Sequence, residues 1–448
     1  MLRRSLSRLE PPTPRIHAGL SALLRLARRV ALLHYANAGQ RSTRLPFEVA
    51  LTFAMKVWIV DQNANLMYYA YSLALGLVQN GCEVSIVTCK DYEWTGPPSQ
   101  RIQVVEAFFR WSTPLIKRFG LLRKARSLRM ALKAIEYPFG YLFLLNRYRH
   151  EKPDIIHFQY ANIPAIERLV FGILRRYRIP FLLTVHNIVQ PRPGPLDNAL
   201  FGPLYRRMPH LVVHSNDNKN ALQTLFGVAA DRIHVIAHGN YNAYLPTTMP
   251  DQGAARDAIG VPRDSKIVLF FGIIFEFKGL DVLIRALAQV DREIKPFLVI
   301  AGQPSQGFEK YAAEIQRLNL EQCVLTRLEF ISYEELTLLF SAADVVALPY
   351  KRISQSGVMF VAFSFGRPVV ATRVGSFPET VVEGQNGYLV EPESDSELGA
   401  ALNRILRDEA ELRRMSMTAK RISDERYDWS EIAATTLKVY EEAREAAK

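Results

Sequence analysis

The chain has 448 residues, 49% of them apolar and 22% charged, with three cysteines and a formal charge of +12. That length exceeds one ordinary core and predicts two domains of about 150–200 residues, while the composition is that of a soluble globular protein with no apolar run near the ~20 residues a membrane-spanning helix needs. Cys82, Cys89 and Cys323 make neither a paired framework nor a metal-ligand cluster, which points to a reducing compartment.

The charge is uneven. Residues 1–54 hold nine Arg and no Lys against Glu10 and Glu48, a net +7, which leaves +5 for residues 55–448. Leu20, Leu23, Leu24, Ala27, Ala31 and Leu32 can line one side of a helix beside Arg25, Arg28 and Arg29, as in an interfacial membrane helix or an Arg-rich transit segment. Pro11, Pro12, Pro14 and the patchy pattern favour instead a basic leader that is disordered or an upstream extension. Nucleic-acid binding is rejected as the main role, because the excess charge lies largely in this leader and no aromatic-basic platform accompanies it.

From Met55 short apolar runs alternate with helical patterns, the signature of parallel sheets with crossover helices. Strands are predicted at Lys56–Val60, Glu83–Thr88, Ile102–Val105, Asp154–His157, Phe181–Val185, His210–His214 and Arg232–Ile236. A second series follows at Lys266–Phe271, Phe297–Ala301, Val345–Leu348, Val369–Ala371 and Gly387–Val390. Pro246 to Pro262, rich in Pro, Gly, Ala and Asp, reads as the linker. The predicted organisation is thus a leader (1–54), a first domain (55–245), a linker (246–262), a second domain (263–425) and a final helical segment (426–448). Two open α/β domains joined in this way place a ligand cleft between the carboxyl ends of their sheets. One long segment interrupts the first half: Leu121, Ala125, Leu128, Leu132 and Ile135 share a face, with Arg118, Arg123, Arg126, Arg129 and Lys133 mostly elsewhere. It reads either as a solvated basic face or as an attraction to an anionic bilayer, worth ~1 kcal/mol per basic residue.

Polar residues stand directly after several predicted strands, on the edge that faces the cleft. In the first half these are Asp61-Gln62-Asn63-Ala64-Asn65, His157-Phe158-Gln159-Tyr160, His186-Asn187 and His238-Gly239-Asn240. Asn63, Asn65, His157 and Gln159 are candidates for contacting a ligand's hydroxyls, although Asn in a turn is equally a cap and a lone His is more often structural. In the second half Lys278 stands at a helix start, where the helix dipole disfavours a cation unless an anion is to be bound. The loop Ser354-Gln355-Ser356-Gly357-Val358 runs from a strand into a helix. A single Ser-Gly pair there is ordinarily a cap; several N–H groups converging with the dipole, about half a positive charge, also suit a phosphate or diphosphate.

The order and spacing of these pieces resemble the GT-B glycosyltransferases, closest to the large retaining family 4. The resemblance runs from Met55 to the final helix and is carried by Lys278-Gly279, Ala343-Asp344 with Leu348-Pro349-Tyr350, Gly366-Arg367-Pro368, Gly375 to Glu379, and Asn386-Gly387. It implies an α/β fold of two Rossmann-like domains facing each other across a cleft, with the C-terminal helix crossing back to the first domain. It implies a nucleotide diphosphate sugar held by Gly272, Lys278, Ser354, Gln355, Ser356, Gly357, Val358 and Glu379, with Lys278 and His186 acting at the reaction centre and Asn63, Asn65, His157 and Gln159 on the acceptor side. No metal and no other cofactor is expected. His238-Gly239-Asn240 matches a family turn at the end of the first domain and is read as cleft wall and hinge.

This chain departs from the family pattern in two places. Ile273, Ile274 and Phe275 occupy the loop where the family often has an Arg. Ser354 and Ala362 stand where it typically has two glutamates eight positions apart. The implied activity is transfer of a hexose to a sugar or polyprenyl-linked sugar in bacterial exopolysaccharide or glycolipid assembly, with retention, by a cytoplasmic protein peripheral on the inner membrane. If the reaction instead inverts, Asp61 or His186 is the candidate base. A nucleotide-sugar epimerase of the same fold and a non-catalytic binding subunit are the other readings left open by the missing glutamates.

Overall fold

The computed structural model describes residues 55–90, 99, 101–119, 125–188 and 197–448; the predicted leader, Leu121 and Arg123 lie outside the described residues. The first sheet has seven parallel strands: β1 (Lys56–Val60), β2 (Glu83–Cys89), β3 (Ile102–Phe108), β4 (Ile155–Phe158), β5 (Phe181–Thr184), β6 (Leu211–Val213) and β7 (Ile233–Val235), in the order β3-β2-β1-β4-β5-β6-β7. The second has six: β8 (Lys266–Phe271), β9 (Pro296–Ala301), β10 (Val324–Arg327), β11 (Val345–Leu348), β12 (Val369–Thr372) and β13 (Gly387–Val390), in the order β10-β9-β8-β11-β12-β13. In both sheets the order of strand addition therefore reverses beside the first strand, between β1 and β4 and between β8 and β11, which makes these the switch points. The two predicted Rossmann-like α/β domains are present.

The central strands are apolar on both faces because helices cover both. Val57, Ile59 and Val60 of β1 and Val345 through Leu348 of β11 are fully buried, the continuous hydrophobic run expected of a parallel strand. β10 escapes the sequence pattern because it is a four-residue edge strand, all of it half-buried, with neither alternation nor a long apolar run.

The predicted linker is not wholly a loop. Gln252–Ile259 is a helix whose start is capped by Asp251 and whose end is Gly260 in the left-handed region (φ +79°). Its Ala255 and Ile259 belong to the core of the second domain, and its Arg256 pairs at 2.7 Å with Asp344, which also accepts from the Ile267 amide. The cap and the C-terminal glycine were the signals that composition alone obscured.

The final helix, Trp429–Ala447, packs on the first-domain helix Met67–Gln79. A Cβ at Gly76 would lie 2.1 Å from the Trp429 carbonyl oxygen, so only glycine permits this approach. Tyr440 of the same helix places its hydroxyl 2.7 Å from His157 Nδ1 beneath the sheet. Thus the chain crosses back onto the first domain, and both domains lie in one contiguous unit spanning 54–448. Among the described residues no helix is long and apolar enough to cross a membrane.

Candidate active site

The switch point of the second sheet is assembled by glycines. β8 ends into Gly272 (φ +94°), and a single turn of 3-10 helix, Glu276–Lys278, ends at Gly279 (φ +70°). A Cβ at Gly279 would stand 1.9 Å from the Pro349 carbonyl oxygen, so this glycine lets the Lys278 turn close on the end of β11. Lys278 Nζ then lies 3.0 Å from where a Cβ on Gly272 would be and 5.5 Å from the centre of the Tyr350 ring. No carboxylate among the described residues pairs with it, and burial pushes its ammonium down to about 8. At neutral pH it remains mostly charged, desolvated and without a counter-ion.

The loop after β11 faces the same point. Ser356 occupies the cap position of the helix Gly357–Ser364, yet its hydroxyl makes no cap bond and sits 3.4 Å from the Tyr350 hydroxyl. The first-turn amides are therefore left without a side-chain acceptor. Val358 Cγ2 is 3.7 Å from the Cβ position of Gly272, which brings that first turn against the Lys278 ammonium. Gln355 Oε1 is buried without a hydrogen-bond partner. Ser354 Oγ accepts from the Ile188 amide of the first domain at 3.1 Å. Gly375 (φ +52°) supports this loop, since a Cβ there would strike the Ile353 carbonyl oxygen at 2.0 Å. Ala362 is fully buried in the core of the second domain.

Glu379 faces the first domain. Its two oxygens accept from the Asn216 amide (2.9 Å), the Asn216 side chain (3.0 Å) and the Asp217 amide (2.8 Å), at the start of the helix Asn216–Phe226. Ser215 caps the next amide, that of Asn218. This carboxylate is thus an interdomain clasp that exploits the positive end of a helix.

The first sheet's switch point is tightly self-bonded. Asp61 is fully buried, and its carboxylate accepts from the amides of Asn65 (3.2 Å) and Leu66 (2.8 Å); desolvation raises its pKa and these bonds oppose the rise. Gln62 donates to the Tyr141 hydroxyl (2.9 Å) and the Tyr160 carbonyl (3.0 Å), and Asn63 donates to Asn162 (2.8 Å). The Asn65 side chain is exposed. His157 is held between the hydroxyls of Tyr440 and Thr184, the latter at 2.6 Å, and burial, then His214, lowers it to about 3.

His186 and Gln159 do meet, His186 Nε2 lying 3.1 Å from Gln159 Oε1. His186 Nδ1 lies 3.0 Å from Nε2 of His214, whose Nδ1 faces the Ile236 carbonyl oxygen at 2.9 Å. Desolvation holds His186 well below the usual histidine range and lowers His214 to about 4. His238 stacks on Phe360 of the second domain (4.9 Å, 13°), Gly239 is pressed against the Trp429 indole, and Trp429 donates to the Asn240 carbonyl at 2.7 Å.

The structure thus brings Gly272, Lys278, Ser356, Gly357 and Val358 to one point and His186 and Gln159 to another, while Glu379 and His157 are engaged in structural bonds. Sequence reasoning named Tyr350 only as part of a motif and gave neither it nor His214 a role in the site. His214 ends an apolar strand just as His157 and His186 do, and that signal was available.

The geometry agrees with what known proteins resemble this chain. The family described as "Glycosyl transferases group 1" matches residues 251–422, and "Glycosyltransferase Family 4" matches residues 68–239. A D-inositol 3-phosphate glycosyltransferase of Corynebacterium efficiens is 31% identical over 405 residues, covering 86% of this chain and 92% of that protein. Among solved structures, sucrose-phosphate synthase of Thermosynechococcus elongatus superposes with a TM-score of 0.70 at 20% identity, covering 88% of this chain and all of that one. Anabaena HepE in complex with UDP and glucose superposes with a TM-score of 0.66 at 19% identity, covering 87% of this chain and all of that one.

Proposed function

The chain belongs to the group 1 glycosyltransferases of GT-B fold, and on that premise we propose that it moves a hexose from a nucleoside diphosphate sugar to a sugar acceptor, with retention. One observation carries the reading. Lys278, a desolvated cation without a carboxylate partner, shares the second sheet's switch point with the uncapped amides of Gly357 and Val358. This is fixed positive charge at a half-buried site, the arrangement that stabilises a diphosphate as charge builds on it.

In the proposed reaction the bond between the sugar's anomeric carbon and the β-phosphate oxygen breaks, and the acceptor oxygen bonds to that carbon. The acceptor's proton passes to the departing phosphate, which Lys278 and the two amides hold. Support for this route over an inverting one comes from the two candidate bases: Asp61 is buried and bonded to its own turn, and burial leaves His186 too weakly basic to take an acceptor's proton.

The acceptor class proposed is a lipid-linked sugar of cell-surface polysaccharide or glycolipid assembly, met at the cytoplasmic membrane face. The helix Arg126–Glu151 exposes Leu128, Met130, Ile135, Phe139 and Leu142, so the apolar stripe read from the sequence points outward while Tyr137, Tyr141 and Leu144 face the core. Arg129 and Lys133 accompany the exposed residues. A cavity of about 940 Å³ lies not at either switch point but beside β3, where Arg110 and Arg147 stand with Trp111, Phe139 and Phe143. Cations interleaved with exposed apolar side chains suit an anionic lipid surface.

The test is a thermal-shift screen of the full chain against UDP, GDP, ADP and their sugar conjugates, since a ligand that binds the folded state raises its melting temperature. Stabilisation by one nucleotide series that is lost in Lys278→Ala is expected; no response to any at millimolar concentration contradicts the donor reading. Flotation with phosphatidylglycerol vesicles but not phosphatidylcholine vesicles is expected of the membrane face, and equal binding to neither contradicts it.

A further inference from the structure

The polar groups from Ile236 to Gln159 have only one consistent arrangement of protons when neutral. A backbone carbonyl can only accept, so the His214 Nδ1 that faces the Ile236 oxygen at 2.9 Å must carry a hydrogen. A neutral His214 then has a bare Nε2, which can only accept, so His186 Nδ1 at 3.0 Å must donate to it. That leaves His186 Nε2 bare and facing Gln159 at 3.1 Å. A bare nitrogen needs a donor, which a carbonyl oxygen is not. The Gln159 amide nitrogen is meanwhile buried with no partner at all. Oxygen and nitrogen of an amide are nearly equal in shape, so the hydrogen-bond network assigns them. Exchanging them gives His186 its donor and removes the orphaned NH₂.

We propose that His214 is a positioning residue: anchored by the Ile236 carbonyl, it fixes His186 as the Nδ1–H tautomer and turns the NH₂ of Gln159 inward toward it. The opposite polarity would set the bare Nδ1 of His214 against a carbonyl oxygen, or would require an imidazolium among the groups that surround His186. Those groups are His157, His214 and His238, each of which disfavours a charge there, and the rings of Tyr69 and Tyr160. Among the described residues no carboxylate offsets them. His186 is thereby kept an uncharged hydrogen-bond acceptor at Nε2, suited to a sugar hydroxyl that displaces the Gln159 amide, and it never becomes a second cation competing with Lys278 for phosphate. This last step rests on the proposed donor reading, whereas the proton arrangement itself does not.

The test is long-range ¹⁵N–¹H imidazole spectroscopy of the ¹⁵N-labelled full chain at pH 7.5, with the His186 signals assigned by their loss in His186→Gln. The expected wild-type pattern is a protonated Nδ1 and a bare Nε2 on both His186 and His214. In His214→Phe the His186 pattern inverts to Nε2–H, because the Gln159 carbonyl becomes its remaining partner. His214→Gln, whose amide oxygen stands near the former Nε2 position, restores Nδ1–H; a merely structural role would not move the proton in this way. A wild-type His186 with its proton on Nε2, or with both nitrogens protonated, overturns the proposal, as does an unchanged pattern in His214→Phe. If His214→Phe fails to fold, the wild-type spectrum and the His214→Gln spectrum decide the matter. A failed nucleotide screen leaves these spectra unaffected, so the two readings fail separately.

Discussion

The two switch points are built on the same strand order and treat their polar groups in opposite ways. At the first, Asp61, Gln62, Asn63, His157, His186 and His214 are bonded to one another, to neighbouring side chains or to backbone, one atom of the Gln159 amide is left over, and burial keeps the three histidines neutral. At the second, among the described residues, a lysine has no counter-ion, a helix start has no side-chain cap, and the Gln355 side-chain carbonyl has no donor. A largely bonded network contributes to the fold; one with an unpaired charge and open donors costs stability until a ligand completes it. On the proposed function, the second switch point is the one that receives the charged part of the substrate.

The largest expected effect lies in the largely bonded region. His157, His214 and His238 are held near 3, 4 and 3, so between pH 6.5 and about 4 the unfolded chain binds more protons than the folded one. Stability is therefore full above pH 6.5 and is lost as pH falls, at up to about 1.4 kcal/mol per pH unit for each histidine. Urea unfolding at pH 7.5 and pH 5 should show a loss of several kcal/mol, and a flat profile would mean that these rings are not buried neutral.

Next in size is Lys278→Ala, expected to lower turnover by roughly 10²–10³-fold, the cost of removing one preorganised donor from developing negative charge, with the melting temperature unchanged or raised. In the wild type, nucleotide affinity measured by calorimetry should decline as pH rises through about 8, where the free lysine loses its proton. Gly279→Ala puts a methyl group into the Pro349 carbonyl at a left-handed position and should cost roughly 1–3 kcal/mol of stability on denaturant unfolding. The smallest effect belongs to Glu379→Gln. It keeps the shape of the interdomain clasp and removes its charge, for about 0.3–1 kcal/mol, together with faster proteolytic cleavage near Asn216.

What the sequence made legible was local. Strands β1, β8 and β11 show as apolar runs, and Lys278-Gly279 and Ser356-Gly357 sit at fixed offsets from strand ends, so their position at the second switch point follows from topology alone. What stayed hidden depends on partners far along the chain. Nothing near Glu379 announces Asn216 and Asp217, and nothing near His186 announces that His214 faces the Ile236 carbonyl. The outward-facing Leu128 and Ile135 were hidden for the opposite reason: periodicity finds an apolar stripe but does not say whether protein or membrane covers it. The helix Gln252–Ile259 was masked by a composition that reads as loop until its Asp251 cap is given weight.

The most direct test of the central claim is a crystal structure of the nucleotide diphosphate complex, using whichever nucleotide stabilises the chain. The account predicts the β-phosphate within hydrogen-bonding distance of Lys278 Nζ and of the Gly357 and Val358 amides. A diphosphate seated elsewhere, at the Arg110 and Arg147 cavity or against the histidines of the first domain, would contradict it.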